Sequence, residues 1–143
     1  MRKQICMMLA VCFLGGCATS GIRYAEMSSA TAPRLAGGMG RIYFYRNGMP
    51  IGLAVQPDIK LNGEKVGNAV PNGFFFVDRP AGKYEITATT ETEEKVTVTL
   101  RAGETQYVQF YITPGILLPH ANLNPVTREK AEQEMAELHQ VGP

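Results

Sequence analysis

Between Asn47 and Gly103 turn-forming residues recur about every ten positions, with short β-prone runs between them. Asn47-Gly48, Asn62-Gly63 and Asn72-Gly73 are three such turns, and Pro80-Ala81-Gly82 and Ala102-Gly103-Glu104 are two more. A parallel crossover through a helix needs about a dozen residues or more between strands, and this spacing leaves no room for one. The pattern predicts a mainly β chain: an antiparallel β-sandwich of about seven strands, with one C-terminal α-helix.

Residues 40–46 carry Ile42, Tyr43, Phe44 and Tyr45 in succession, apolar on both faces, which predicts a central strand. Residues 49–55 are ambiguous and read as a short edge strand at most. Ile59 and Leu61 alternate with Lys60, Asn62-Gly63 turns the chain, and Val66 starts the return. Asn-Gly supplies the two positive φ values of a type I′ turn, so this is the clearest hairpin. Phe74-Phe75-Phe76-Val77 reads as a buried strand. Residues 83–90 and 96–100 alternate apolar and polar. In 105–112, Val108, Phe110 and Ile112 point one way and Tyr107, Gln109 and Tyr111 the other. The one helix expected covers 125–140, with Asn124 as its cap, Pro125 at its first position, and Ala131, Met135 and Leu138 as a narrow apolar stripe.

The N-terminus obeys different rules. Arg2 and Lys3 precede an apolar run from Ile5 to Leu14, which closes on Leu14-Gly15-Gly16-Cys17. The run is too short to span a hydrocarbon core of about 30 Å, which needs about 20 helical residues. It fits the apolar region of a secretory signal. No Ala-x-Ala site stands near Gly16, so an ordinary signal peptidase site is a poor match. The pattern resembles a bacterial lipoprotein signal. That resemblance implies cleavage between Gly16 and Cys17, a diacylglyceryl thioether on the Cys17 thiol and acylation of the new amine. Ala18 follows the cysteine where an Asp would favour inner-membrane retention, so the expected address is the outer membrane, periplasmic face.

The expected organisation is therefore a signal peptide over 1–16, a lipidated cysteine and flexible tether over 17–38, and the sandwich with its helix over 39–143. A coil of about 20 residues would hold the domain on the order of 25 Å from the bilayer. Ile22, Tyr24 and Met27 interrupt the polar tether as residues able to dock or to lie at the membrane surface.

Removing 16 of the 143 residues leaves 127, enough for one domain. Arg2 and Lys3 leave with the signal, so 12 basic residues face 13 acidic ones and the formal charge is about −1. A nucleic-acid partner is not expected, since that wants a basic stripe. Cys6 and Cys12 also leave, and the remaining Cys17 is acylated, which excludes an intrachain disulfide and a thiolate metal site.

The strand sequences resemble a known family. Gly40-Arg41-Ile42-Tyr43-Phe44-Tyr45-Arg46, Ile59-Lys60-Leu61-Asn62-Gly63-Glu64-Lys65-Val66-Gly67 and Asn72-Gly73-Phe74-Phe75 carry the likeness. So do Arg79-Pro80-Ala81-Gly82-Lys83-Tyr84-Glu85-Ile86 and Leu100-Arg101-Ala102-Gly103-Glu104-Thr105-Gln106-Tyr107-Val108. Over about residues 40–112 the chain resembles the lipoproteins grouped as domain of unknown function 2846. The Pro-Ala-Gly-Lys-Tyr element is also similar to turns of PEGA-type and carboxypeptidase-regulatory-type sandwiches. The resemblance implies a small extracytoplasmic β-sandwich and brings no catalytic residues.

Little in the chain suggests chemistry. His120 and His139 are the only histidines, far apart in sequence, and without a thiolate they give poor support to a zinc site. No phosphate loop or His-Glu-x-x-His motif occurs. Asp58, Glu64 and Asp78 lie in expected turns, where acidic residues are common. No cofactor is called for. Two features point to binding: Tyr43, Tyr45, Tyr107 and Tyr111, an aromatic face if their strands pair, and Ile116-Leu117-Leu118, an apolar contact loop between prolines. The expectation is a non-catalytic binding or envelope-structure module, held to the membrane through Cys17, whose partner is another envelope protein or peptidoglycan. The alternative is a periplasmic carbohydrate-binding domain or enzyme using the aromatic face.

Overall fold

A computed structural model describes residues 21–27, 32–117 and 119–142. The expected signal over 1–16, the expected cleavage and lipidation site at Gly16 and Cys17, and Leu118 lie outside the described residues. Among the described residues there are nine strands, one α-helix and a single 3-10 turn at Tyr24–Glu26.

β1 (Met39–Arg46) is the central strand its sequence predicts. Its flanks are β4 (Gly73–Pro80), which runs antiparallel to it, and β7 (Thr105–Thr113), which runs parallel. β8 (His120–Val126) pairs with β7 at one edge, and the two-residue β9 (His139–Gln140) pairs with β4 at the other. The second sheet orders β3 (Glu64–Asn68), β2 (Asp58–Leu61), β5 (Gly82–Thr89) and β6 (Glu93–Leu100). The mainly β sandwich agrees with the expectation. It has two more strands than expected, and the parallel β1–β7 and β4–β9 pairings were not read from alternation.

The period-2 pattern explains the layers. Ile42, Phe44, Phe75, Val108 and Phe110 face the second sheet and meet Ile59, Leu61, Ile86 and Leu100 there. Each such side chain contributes about 1.5–3 kcal/mol when fully buried. The other face of the five-stranded sheet presents Tyr43, Tyr45, Phe74 and Tyr107, which pack under Ala131, Met135 and Leu138. The first sheet is thus covered on both sides, which is why β1 carries large apolar or aromatic residues at four successive positions, Ile42 to Tyr45.

The Asn62-Gly63 hairpin forms as expected, with φ of 50° and 84° at the two turn residues. The C-terminal expectation is corrected. The helix α1 spans Arg128–Met135, not 125–140, and Thr127 caps it by accepting from the Lys130 amide. Asn124 and Pro125 belong to β8, opposite Gln109 and Val108. Proline fits the first turn of a helix and also an edge strand, and β8 is an edge. Residues 49–55 form no strand. They are a turn, with φ of 75° at Gly52.

Candidate functional site

The two candidate sites fare differently. β1 and β7 pair in register, so Tyr43 stands opposite Tyr107, with rings stacked 5.4 Å apart and 9° from parallel. Tyr45 follows two residues on, and its hydroxyl donates to Glu134 of α1 at 2.6 Å. Yet the face is closed: Tyr43, Tyr45 and Tyr107 are 6%, 2% and 4% exposed. α1 lies over them, and Tyr24 packs edge-on against both Tyr43 and Phe74. Tyr111 is half-buried, further along β7 opposite Asn122. Burial pushes the hydroxyls of Tyr24, Tyr45 and Tyr107 above the ordinary tyrosine value.

Beside this cluster a cavity of about 580 Å³ is lined by Tyr24, Tyr43, Tyr107, Arg128 and Glu132 among others. Its other cation, Arg41, is already engaged: the guanidinium donates to Asp78 at 2.7 and 2.9 Å and to the Pro33 carbonyl at 2.8 Å. The chain between two more lining residues, Met27 and Ala32, lies outside the described residues.

The second candidate is at the end of the sandwich where β1 finishes. Because β7 runs parallel to β1, the loops following Arg46 and Thr113 leave at this same end. Gly73 pairs with both Arg46 and His139, so β9 is also here. Ile116 and Leu117 of the predicted contact loop are 101% and 88% exposed. Beside them, and missed in the sequence, Met49, Ile51 and Leu53 are also exposed, on a loop whose Gly52 abuts Ile112. The signal for them is an apolar residue at every second place across Pro50 and Gly52, a pattern that is ambiguous and at most suggests a short edge strand.

That loop is braced from below. Arg46, 3% exposed, donates to the Gly52, Val55 and Ala69 carbonyls. Its guanidinium sits 5.4 Å over the Phe110 ring, and burial lowers its pKa. Three carbonyls replace the water that a buried cation would lose.

The N-terminal segment meets the domain at this end too. The Gln140 amide donates to the Ile22 carbonyl at 2.9 Å, and Tyr24 donates to the Leu138 carbonyl at 3.0 Å. Gly21 presses so closely on Gln140 that a Cβ there would fall 1.6 Å from the Gln140 oxygen. Residues 22–27 are therefore part of the folded unit rather than free tether.

The expected helix over 125–140 would include His139, and the structure corrects that placement. His139 is in β9, not on a helix, with Nδ1 3.0 Å from the Gly21 carbonyl. A carbonyl only accepts, so this nitrogen carries the hydrogen. His120 begins β8 at the opposite edge of the sheet and is exposed. Among the described residues, no group of three or more His, Cys, Asp or Glu comes together that could hold a metal, and no helix is long and apolar enough to cross a membrane.

The family model described as Protein of unknown function (DUF2846) matches residues 36–122, and the chain belongs to that family. It is similar to an uncharacterized protein of Haemophilus influenzae, 25% identical over 130 residues that cover 88% of this chain and 76% of the relative. Among solved structures, the N-terminal domain of AlgF from P. aeruginosa is similar at a TM-score of 0.41 and 17% identity, covering 64% of this chain and 100% of that one. A likeness of that size carries no argument about function.

Proposed function

We propose that this member of the DUF2846 family is an outer-membrane lipoprotein whose sandwich faces the periplasm and acts without catalysis, binding or bracing another envelope protein or peptidoglycan. The observation that carries the reading is the N-terminal run from Arg2 to Cys17: two basic residues, about ten apolar ones, then Leu14-Gly15-Gly16-Cys17. Only cysteine offers the nucleophile for a stable thioether, and two or more acyl chains anchor a protein where one does not. Ala18, where an Asp would favour inner-membrane retention, supports the outer-membrane address.

The alternative, a carbohydrate-binding domain or enzyme using the aromatic face, asks for exposed rings. Tyr43, Tyr45 and Tyr107 lie under α1 instead, which favours the non-catalytic reading. Kinship with PEGA-type sandwiches belongs to the same proposal. It rests on Pro80-Ala81-Gly82-Lys83-Tyr84, where the Tyr84 hydroxyl donates to the Pro80 carbonyl at 2.7 Å and closes the β4–β5 turn.

Labelled palmitate, with wild type and Cys17→Ser compared after separation of the two membranes, tests the reading. Label in wild type alone, found in the outer membrane, supports it. Unlabelled wild type in the soluble fraction overturns it.

A further inference from the structure

We propose that the end of the sandwich where β1 finishes lies in the interfacial layer of the membrane, with Met49, Ile51, Leu53, Ile116 and Leu117 dipping into the acyl boundary. The proposal rests on the lipid-anchor reading of Cys17 and adds which surface faces the bilayer.

Three observations meet. The first is where the apolar surface is. The exposed large hydrophobic residues among those described are Ile22, Met49, Ile51, Leu53, Ile116 and Leu117, and all are at this end. Scattered apolar residues need no explanation, but six gathered on one end and none elsewhere do.

The second is reach. Cys17 stands four residues before Gly21. Four residues span at most about 14 Å when fully extended. Gly21 is pinned to Gln140 at this end, so the acylated residue cannot carry the domain further from the lipid than that. Gly38, just before β1 at the far end, accepts from the Ala81 amide. Docking of residues 22–27 thus converts a tether of about 20 residues into a short leash attached at the apolar end.

The third is that the loop presenting Met49, Ile51 and Leu53 is held by the buried Arg46, so its apolar side chains stay outward on a fixed support. The occupant that matches is a lipid surface rather than an anionic headgroup site. Glu91 borders the same end, in a small cleft with Val55 and Pro119, and would repel negative charge. Insertion should therefore be apolar in origin and insensitive to salt.

The test uses the full lipidated chain in zwitterionic vesicles. Leu53→Cys, Leu117→Cys and Ala102→Cys are made singly and labelled with a polarity-sensitive fluorophore. Ala102 is exposed in the turn at the opposite end, where Gly103 donates to Met39. Acylation at Cys17 is verified on each sample by mass. Brominated acyl chains should quench most of the emission at 53 and 117, with a blue shift, and leave 102 unchanged. Acylated protein with 53 and 117 unquenched overturns membrane contact but leaves the anchor standing. A probe at 117 that is shielded from lipid, with the unlabelled Leu117→Cys protein forming a disulfide to a second copy on addition of a mild oxidant, overturns it in favour of a dimer. Protein without acyl chains overturns the anchor reading and this proposal together.

Discussion

The Gln140 amide donates to the Ile22 carbonyl at 2.9 Å, so the first described stretch of the chain is bonded to its last strand. The contact closes the sheet edge beyond β4 and places the N-terminal exit beside the loops that carry Met49 and Leu117. It also makes residues 22–27 part of the folded unit.

Gly21→Val should break that docking. No side chain fits against Gln140, so the segment must lift away from the sheet and uncover Tyr24 and Phe74. Trypsin should then cut after Arg23 in the folded protein, where wild type resists. Amide exchange at Tyr24 and Ala25 should rise to the rate of free chain while β1 stays protected. Unchanged protection of those two amides would contradict the docking.

Arg46→Met should cost about 3 kcal/mol by denaturant unfolding, because the buried Ala69 carbonyl and the part-buried carbonyls of Gly52 and Val55 lose their donor. Arg46→Lys should recover only part, since an ammonium lacks the planar fork. A loss under about 0.5 kcal/mol for Arg46→Met would show that the loop does not need its brace.

Tyr45→Phe should cost about 1–2 kcal/mol at neutral pH, because the Glu134 carboxylate loses one of its donors and keeps Gln109 at 2.9 Å. The alkaline limb of stability should change as well. Burial first, then Glu134, raises the Tyr45 hydroxyl above its ordinary value of 10.0. A raised pKa means the folded state holds the proton more tightly, so its contribution is complete below pH 10 and is lost as the pH climbs beyond. Tyr24 and Tyr107 shift the same way. Wild type should lose stability steeply above pH 10, and Tyr45→Phe less steeply. Equal slopes would contradict the burial of that hydroxyl.

Much of the sandwich is legible in the sequence because its strands carry a period of 2 and its turns carry Asn-Gly. The Asn62-Gly63 hairpin and the alternation at Val108, Phe110 and Ile112 are local statements, and they translate directly. Pairing is not local. That β7 lies parallel to β1 depends on long-range packing, and it is this parallel pairing that brings residues 49–53 and 116–117 to one end. Asn124-Pro125 misleads for a different reason: the same fixed φ serves a helix start and an edge strand, and only the pairing with β7 decides between them. Tyr43, Tyr45 and Tyr107 do share one face while Tyr111 lies further along β7, and the covering of the three by α1 is a tertiary fact that residue spacing does not carry.

The most direct test of the anchored reading is the mass of the peptide ending at Arg23 after trypsin digestion of the denatured protein. The account predicts a peptide beginning at Cys17 that carries a diacylglyceryl group on sulfur and an acyl chain on the amine. A Cys17 peptide with a free thiol, or a peptide still joined to Gly16, would contradict it.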